Sequence, residues 1–232
     1  HRRRNRAVQN IGGIANVTWL PAGGSADDVR AFDTGPGNMI LDRLASLATG
    51  GRLHYDRGGR LAASGTISAP LLAELMQHPF LRRRPPKTTG REDFGAAMAD
   101  QLRRTACRRK ISDADLLATL TAFTAASIAD AYRRFLAHVD EVILCGGGAR
   151  NPTLVAMLRE RLTPTQVVVM DDLGLSADAK EAVSFAILAR ETILGRPGNV
   201  RGATGATRRV VLGKIVPGSG VAESRWRPRF LK

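Results

Sequence analysis

Hydrophobic residues in the first part of the chain occur in short runs separated by glycine-rich turns, a pattern typical of strands. Strands are predicted at residues 7–11, 17–20 and 29–32, and they form a meander that leads into a loop at Asp33. Helices are predicted at about residues 37–48 and around residues 68–77, where Ser68 and Pro70 mark the start. Residues 49–59 form a polar, glycine-rich stretch, and the segment 82–94 is predicted to be a loop.

A longer periodic segment begins the second part of the chain. From residue 112 to residue 136, hydrophobic residues recur at helical spacing, and Ser112 is placed to cap the helix, with Asp115 three residues later. The pattern then predicts a strand at 141–145, a helix at 152–162, a strand at 166–170 and a helix at 176–194. This β-α-β-α order indicates an α/β fold.

Three glycine-rich turns follow predicted strands. Glycine has no Cβ, so backbone N–H groups in such turns can approach an anion closely, and asparagine amides add further donors. Any one of these turns is equally consistent with an ordinary hairpin or loop. Three in one chain indicate a nucleotide site. The candidate binding residues are Asn10, Gly12, Gly13 and Asn16 in the first turn, Gly35 and Gly37 in the second, and Gly146, Gly147, Arg150 and Asn151 in the third.

Asp33 lies directly before the second turn, in the order Asp33-Thr34-Gly35-Pro36-Gly37-Asn38. A carboxylate at this position is suited to act as a base or as a metal ligand. The alternative is a loop aspartate that caps its own Thr-Gly turn. The sequence leaves both interpretations open.

The chain has 232 residues, of which 44% are hydrophobic, enough for a globular core. Its net charge of +14 makes nucleic-acid binding a candidate function. Only 5% of residues are aromatic, and no stacking series is interleaved with the arginines, so we do not expect a nucleic-acid partner.

The two cysteines, Cys107 and Cys145, lie far apart and have no metal-ligand spacing around them. We therefore expect neither a disulfide nor a metal held by protein ligands, and we interpret Cys145 as a small core residue rather than a nucleophile. The chain shows no run of about 18 apolar residues and no secretory signal, which predicts a cytoplasmic protein without a membrane partner.

These motifs together resemble the anhydro-N-acetylmuramic acid kinase family, which has the actin, heat-shock-chaperone and sugar-kinase ATPase fold. The resemblance runs nearly end to end and includes the helix that bears Glu181. It implies an α/β, actin-like (ribonuclease H-like) lobe in which a mixed sheet is flanked by helices. The matching motifs are Asn10-Ile11-Gly12-Gly13-Ile14-Ala15-Asn16, the Asp33 turn, Lys87-Thr88-Thr89-Gly90-Arg91-Glu92, Cys145-Gly146-Gly147-Gly148 and Thr204-Gly205-Ala206.

The resemblance also implies a reaction and its participants. ATP would phosphorylate the 6-oxygen of 1,6-anhydro-N-acetylmuramic acid, with Mg²⁺ as cofactor, while water opens the anhydro ring in cell-wall sugar recycling. Asp33 matches the catalytic base of the family and Glu181 matches a glutamate near the sugar. Glu181 is equally well explained as a solvated residue near a helix start. Lys87 and Arg91 could contact substrate or phosphate, or belong to a solvated basic loop.

The chain also departs from the family pattern. Members carry an earlier Gly-Thr-Ser-Leu-Asp-Gly turn and a later Gly-Asp-Phe-Arg loop, and neither occurs here. We therefore expect residues 1–215 to form the second lobe of a two-lobed kinase, with the end of this span returning to the first lobe, and residues 216–232 to be a basic, loosely ordered tail. A non-catalytic nucleotide-binding lobe or scaffold is the alternative function. Whether the chain forms a homodimer stays open.

Overall fold

A mixed sheet forms the centre of the computed structural model, which describes residues 1–177 and 179–216. Its strand order is β3-β2-β1-β4-β5. β2 runs antiparallel to both β1 and β3, whereas β1, β4 and β5 run parallel to one another. The carboxyl ends of β1, β3 and β4 therefore lie at one edge of the sheet. The strands are β1 (Arg6–Ile11), β2 (Ile14–Leu20), β3 (Arg30–Pro36), β4 (Glu141–Cys145) and β5 (Gln166–Val169).

Most of the helical residues lie between β3 and β4, and the remaining helices alternate with or follow the last two strands. The sequence explains the starts of several helices. Ser112 caps α7 by accepting a hydrogen bond from the Asp115 amide, and Asn151 caps α8 by accepting one from the Leu154 amide. The helices are α1 (Met39–Ala48), α2 (Arg60–Ala63), α3 (Ala69–Leu75), α4 (Pro79–Arg82), α5 (Arg91–Phe94), α6 (Ala96–Arg108), α7 (Asp113–Phe135), α8 (Pro152–Leu162), α9 (Ala179–Ile193) and α10 (Arg201–Thr204).

The long helix α7 belongs to two hydrophobic cores. Its first half, with Leu116, Leu120 and Phe123, packs among the helices between β3 and β4. Its second half packs with α8 against one face of the sheet, where Ala7 and Val17 are fully buried. Because side chains alternate along a strand, the neighbouring residues of β1 and β2 lie on the opposite face. That opposite face has the smaller apolar cluster.

A buried polar network joins the sheet to α7. The Gln9 side chain is fully buried; its amide donates to the backbone oxygen of Asn16 at 3.0 Å, and its oxygen accepts from the Tyr132 hydroxyl at 3.1 Å. The Thr34 hydroxyl donates to the backbone oxygen of Ala15 at 3.1 Å. Buried polar groups are stable when they are paired in this way, so the network fixes β1, β2 and β3 relative to one another.

The structure confirms the α/β class with a mixed sheet flanked by helices, together with the long helix over residues 113–135 and the β-α-β-α order that follows it. The predicted loop at Asp33 was wrong, because β3 extends to Pro36 and Asp33 pairs with Asn16 of β2.

Two further corrections concern the helices. The predicted loop 82–94 contains α5, whose Phe94 is fully buried in the helical core. Helix α6 was not predicted. Its buried residues are two alanines, Ala99 and Ala106, and the many arginines around them give the segment no clear apolar periodicity. The predicted loosely ordered tail, from residue 217 onwards, lies outside the described residues.

Candidate active site

Three candidate residues from the sequence lie in one row across the sheet, together with Cys145. Asp33 on β3 pairs with Asn16 on β2, Asn16 pairs with Asn10 on β1, and Asn10 pairs with Cys145 on β4. Paired residues have side chains on the same face, and Cys145 belongs to the cluster on the face away from α7 and α8. The row therefore places a half-buried carboxylate and two half-buried amides on the more open face of the sheet.

The three glycine turns meet beside this row. The amides of Gly37 and Asn38 donate to the backbone oxygens of Gly13 and Gly12, at 3.1 and 2.7 Å. A Cβ on Gly37 would lie 2.3 Å from the Gly12 oxygen, so only glycine allows this contact. Residues far apart in the sequence thus form one glycine-rich surface at the carboxyl ends of β1, β3 and β4, where α/β proteins bind phosphates.

The third turn packs onto the first with the same closeness. Gly146 has a φ of +81°, and a Cβ there would lie 2.8 Å from the backbone oxygen of Ile11. A Cβ on Gly148 would lie 2.3 Å from the Cγ2 atom of Ile11. The tight approach explains the glycines at positions 146 and 148 of this turn.

The Asp33 carboxylate is held by the segment Lys87-Thr88-Thr89. Its Oδ2 atom accepts a hydrogen bond from the Thr88 hydroxyl at 2.8 Å and another from the Thr89 amide at 2.9 Å. The Asp33 backbone amide donates to the Lys87 oxygen at 3.1 Å. Asp33 therefore does not cap its own Thr-Gly turn, because the neighbouring Thr34 hydroxyl donates to Ala15 and the donors to Asp33 come from another segment.

Lys87 is buried, with 8% of its surface exposed. Its ammonium lies 4.5 and 4.8 Å from the ring centroids of Phe80 and Phe135, and it donates to the backbone oxygens of Phe80 and Leu81, both at 3.3 Å. Burial lowers the pKa of Lys87 to about 8. The solvated-loop interpretation of Lys87 was therefore wrong, and the residue anchors the segment that holds Asp33.

Helix α9 brings a cation to the same row. The Lys180 ammonium donates to the Asn10 side-chain oxygen at 2.9 Å and lies 3.5 Å from the Cys145 sulfur. Burial raises the pKa of the Cys145 thiol, in agreement with a core residue. Sequence analysis selected the neighbouring Glu181, whose side chain is exposed and makes no hydrogen bond or ion pair within residues 1–177 and 179–216. Lys180 was missed because a lysine near a helix start carries no motif.

A concave region lies between α1 and the third turn. It has a volume of about 370 Å³ and includes Gly147, Arg150 and Asn151, which sequence analysis assigned to the nucleotide. Asn38 and Asp42 of the second turn and α1 line it as well. The Asn151 side chain also caps α8, so its structural role is defined without a ligand.

Burial raises the pKa of Asp42 in this cavity to about 6. The Asp42 carboxyl therefore binds a proton more tightly in the native state than in the unfolded chain. Its protonation stabilises the fold at low pH, and this stabilisation is lost as pH rises from 3.8 through 6. Asp42→Asn is expected to raise the free energy of unfolding by about 1 kcal/mol near neutral pH, because it removes a half-buried charge that solvent partly screens. Urea unfolding across this pH range measures the effect.

The control is Asp100→Asn, which removes a carboxylate paired with Arg43 at 2.9 Å. That pairing lowers the pKa of Asp100, so its replacement should give no stabilisation near neutral pH. Equal unfolding free energies for Asp42→Asn and the unsubstituted chain at all pH values would show that the half-buried Asp42 charge does not destabilise the fold.

A half-buried carboxylate beside three converging glycine turns defines an α/β protein with a site suited to phosphate chemistry. The family model described as "Anhydro-N-acetylmuramic acid kinase" matches residues 1–218. The chain belongs to this family.

Curated relatives named anhydro-N-acetylmuramic acid kinase agree with this assignment. One from Caldanaerobacter subterraneus is 49% identical over 212 residues, which cover 90% of this chain and 54% of the relative. One from Salinibacter ruber is 47% identical over 220 residues, which cover 92% of this chain and 54% of the relative. One from Bacillus cereus (strain G9842) is 47% identical over 220 residues, which cover 93% of this chain and 56% of the relative. The chain thus spans about half the length of the curated relatives it matches.

Within the described part of the chain, no helix has both the length and the hydrophobicity needed to cross a membrane.

Proposed function

We propose that this chain is the catalytic lobe of an ATP-dependent kinase that converts 1,6-anhydro-N-acetylmuramic acid to N-acetylmuramic acid 6-phosphate, in the recycling of cell-wall amino sugars in the cytoplasm. The observation that carries the proposal is the position of Asp33. Its carboxylate lies in the row that contains Asn16 and Asn10, beside the turns formed by Gly12, Gly13 and Gly37. A base and a phosphate-binding surface thus lie next to each other.

The glycine turns would bind the nucleotide. Gly12 and Gly13, with the side chains of Asn10 and Asn16, are assigned to the β- and γ-phosphates, and Lys180 lies against Asn10 as a source of positive charge. The cavity lined by Gly147, Arg150 and Asn151 is assigned to the adenosine. The sugar would then meet the terminal phosphate near Asp33.

Phosphoryl transfer from ATP uses Mg²⁺, which neutralises phosphate oxygens and keeps several waters of its own, so it needs few protein ligands. The residues present fit this requirement, because Asp33 is a half-buried carboxylate with one oxygen that accepts no hydrogen bond from residues 1–177 and 179–216. Asp33 would hold the ion through water.

In the proposed reaction, Asp33 takes a proton from a water molecule. The water oxygen forms a bond to the anomeric carbon of the sugar as the bond from that carbon to the 6-oxygen breaks. The 6-oxygen forms a bond to the terminal phosphorus of ATP, and ADP leaves. The role of the protein is to hold the carboxylate, the water and the phosphate in line.

We propose further that residues 1–215 form one lobe and that α9 contacts the other lobe of the kinase. α9 has no buried residue, although it contains several large apolar ones. Val183, Phe185 and Ile187 are 55%, 69% and 55% exposed. These residues lie on more than one side of the helix, and a helix with apolar residues on several sides is normally buried. The portion of the curated relatives that this chain does not match, 46% of the Caldanaerobacter protein's length (100% minus 54%), is the proposed cover.

Phe185→Glu tests this contact. In the chain alone the substitution should leave the free energy of unfolding unchanged, because the side chain is exposed. In a chimera with the earlier segment of the Caldanaerobacter relative, it should lower the free energy of unfolding by about 2 kcal/mol, because a charge is then placed in an apolar interface. Gln101→Glu on the exposed side of α6 is the control. Equal effects of Phe185→Glu in the two proteins would contradict the contact.

The test of the proposed function is ADP release with ATP and Mg²⁺, in the presence and absence of anhydro-N-acetylmuramic acid, by the chain and by the same chimera. Sugar-dependent release by either protein supports the kinase. Nucleotide binding without sugar-dependent release by both would favour the alternative, a non-catalytic nucleotide-binding lobe. Sedimentation of the same samples would determine whether the chain forms a homodimer.

A further inference from the structure

The two oxygens of the Asp33 carboxylate have different surroundings. Oδ2 accepts from the Thr88 hydroxyl at 2.8 Å and from the Thr89 amide at 2.9 Å. No donor to Oδ1 is found among residues 1–177 and 179–216. Two donors on one oxygen fix the rotation of the carboxylate, since that oxygen is held in place while the other stays available.

The segment that supplies these donors is itself fixed. The Lys87 ammonium lies between the rings of Phe80 and Phe135 in the core. On the other side, the Thr89 hydroxyl donates to the Asp93 carboxylate at 2.6 Å. Thr88 lies between these two attachment points, so its hydroxyl is presented to Asp33 by a segment that is held at both ends.

Asp33 and Thr88 also line one cavity, of about 330 Å³, together with Asn16. The hydrogen bond from Thr88 is therefore at the surface on which a substrate would bind. A threonine needed only to stabilise the loop would not have to donate to the one carboxylate of this row.

We propose that Thr88 is a positioning residue for the reaction: its hydroxyl holds Oδ2 of Asp33 so that Oδ1 is the oxygen that takes the proton from water. This inference rests on the proposed function, because it assumes that Asp33 is the base.

Thr88→Val removes the donor and keeps the shape of the side chain, whereas Thr88→Ser keeps the donor. In the protein that shows sugar-dependent ADP release, Thr88→Val should lower kcat about 10- to 100-fold, the scale expected when a catalytic group is misplaced. The KM for ATP should change less than about twofold, because ATP binding is assigned to other residues. Thr88→Ser should retain most of the wild-type kcat.

The split between kcat and KM, together with rescue by Thr88→Ser, separates positioning from a structural effect. The control is Thr105→Val on α6, a helix that packs against α1 and contains no residue of the row. That variant should have the kcat and the KM of the wild type.

Crystal structures of the variants test the geometry without depending on turnover. In Thr88→Ser the Asp33 carboxylate should keep the orientation of the wild type, whereas in Thr88→Val it should be rotated, because Oδ2 has lost one of its two donors. A carboxylate in the wild-type orientation in Thr88→Val, or a loss of kcat that Thr88→Ser shares, would overturn the role of Thr88. A rotated carboxylate in a protein without sugar-dependent turnover would instead contradict the proposed function and leave the positioning by Thr88 established.

Discussion

Asp33→Asn is expected to abolish sugar-dependent ADP release, with a loss of about 10²- to 10⁴-fold, the usual contribution of a general base. The substitution removes the basic oxygen and changes the volume very little. An asparagine oxygen can still accept from the Thr88 hydroxyl and the Thr89 amide, so the fold around the site should be unchanged. ATP affinity, measured by calorimetry, should be close to that of the wild type.

The comparison with Asp93→Asn is a control for the loss of a nearby carboxylate. Asp93 accepts from the Thr89 hydroxyl but does not lie in the row across the sheet. Its replacement should cause a smaller loss of turnover than Asp33→Asn. Strong residual turnover in Asp33→Asn would show that another group takes the proton.

Gly37→Ala is expected to have the second large effect, on both stability and nucleotide binding. The added methyl group would lie 2.3 Å from the backbone oxygen of Gly12 and 3.0 Å from that of Gly13. Because backbone must move, the hydrogen bonds from Gly37 and Asn38 to the first turn would be strained. We expect the free energy of unfolding to fall by about 3 kcal/mol. The Kd for ATP should rise about tenfold or more, which corresponds to about 1.4 kcal/mol.

Gly12→Ala is the matched control for stability. A Cβ at Gly12 would meet the Asn10 side chain at 3.6 Å and the Ile14 oxygen at 3.7 Å, which are ordinary contacts. Its free energy of unfolding should therefore be close to that of the wild type. If Gly37→Ala were as stable as Gly12→Ala, the close packing of the two turns would be refuted.

The sequence was most informative where a local pattern and the tertiary structure agree. The helix at Asp113–Phe135 was predicted almost to its ends, because Ser112 supplies a cap and hydrophobic residues recur over its whole length. The strand Glu141–Cys145 was predicted with its observed bounds, because all of its residues are buried and a glycine turn follows. Helix α6 was missed because small alanines form its buried side.

The site could be predicted only as separate turns. Local composition identified the glycines and Asp33, since close backbone approach demands glycine in any fold. It could not identify the segment that holds Asp33, because Thr88 is 55 residues away in sequence and a Thr-Thr pair has no distinctive pattern. Lys180 was missed for the same reason. It hydrogen bonds to Asn10 but lies 170 residues away from it in the sequence. Contacts between distant residues depend on the register of the strands.

The mass of the sugar product shows whether phosphorylation and ring opening occur together. The chain, or its chimera with the earlier segment of a relative, is incubated with anhydro-N-acetylmuramic acid, ATP and Mg²⁺, and the sugar is analysed by mass spectrometry. We expect a product heavier than the substrate by one phosphoryl group and one water, absent in Asp33→Asn. A phosphorylated sugar without the added water, or ADP formed with the sugar unchanged, would contradict the coupled reaction at Asp33.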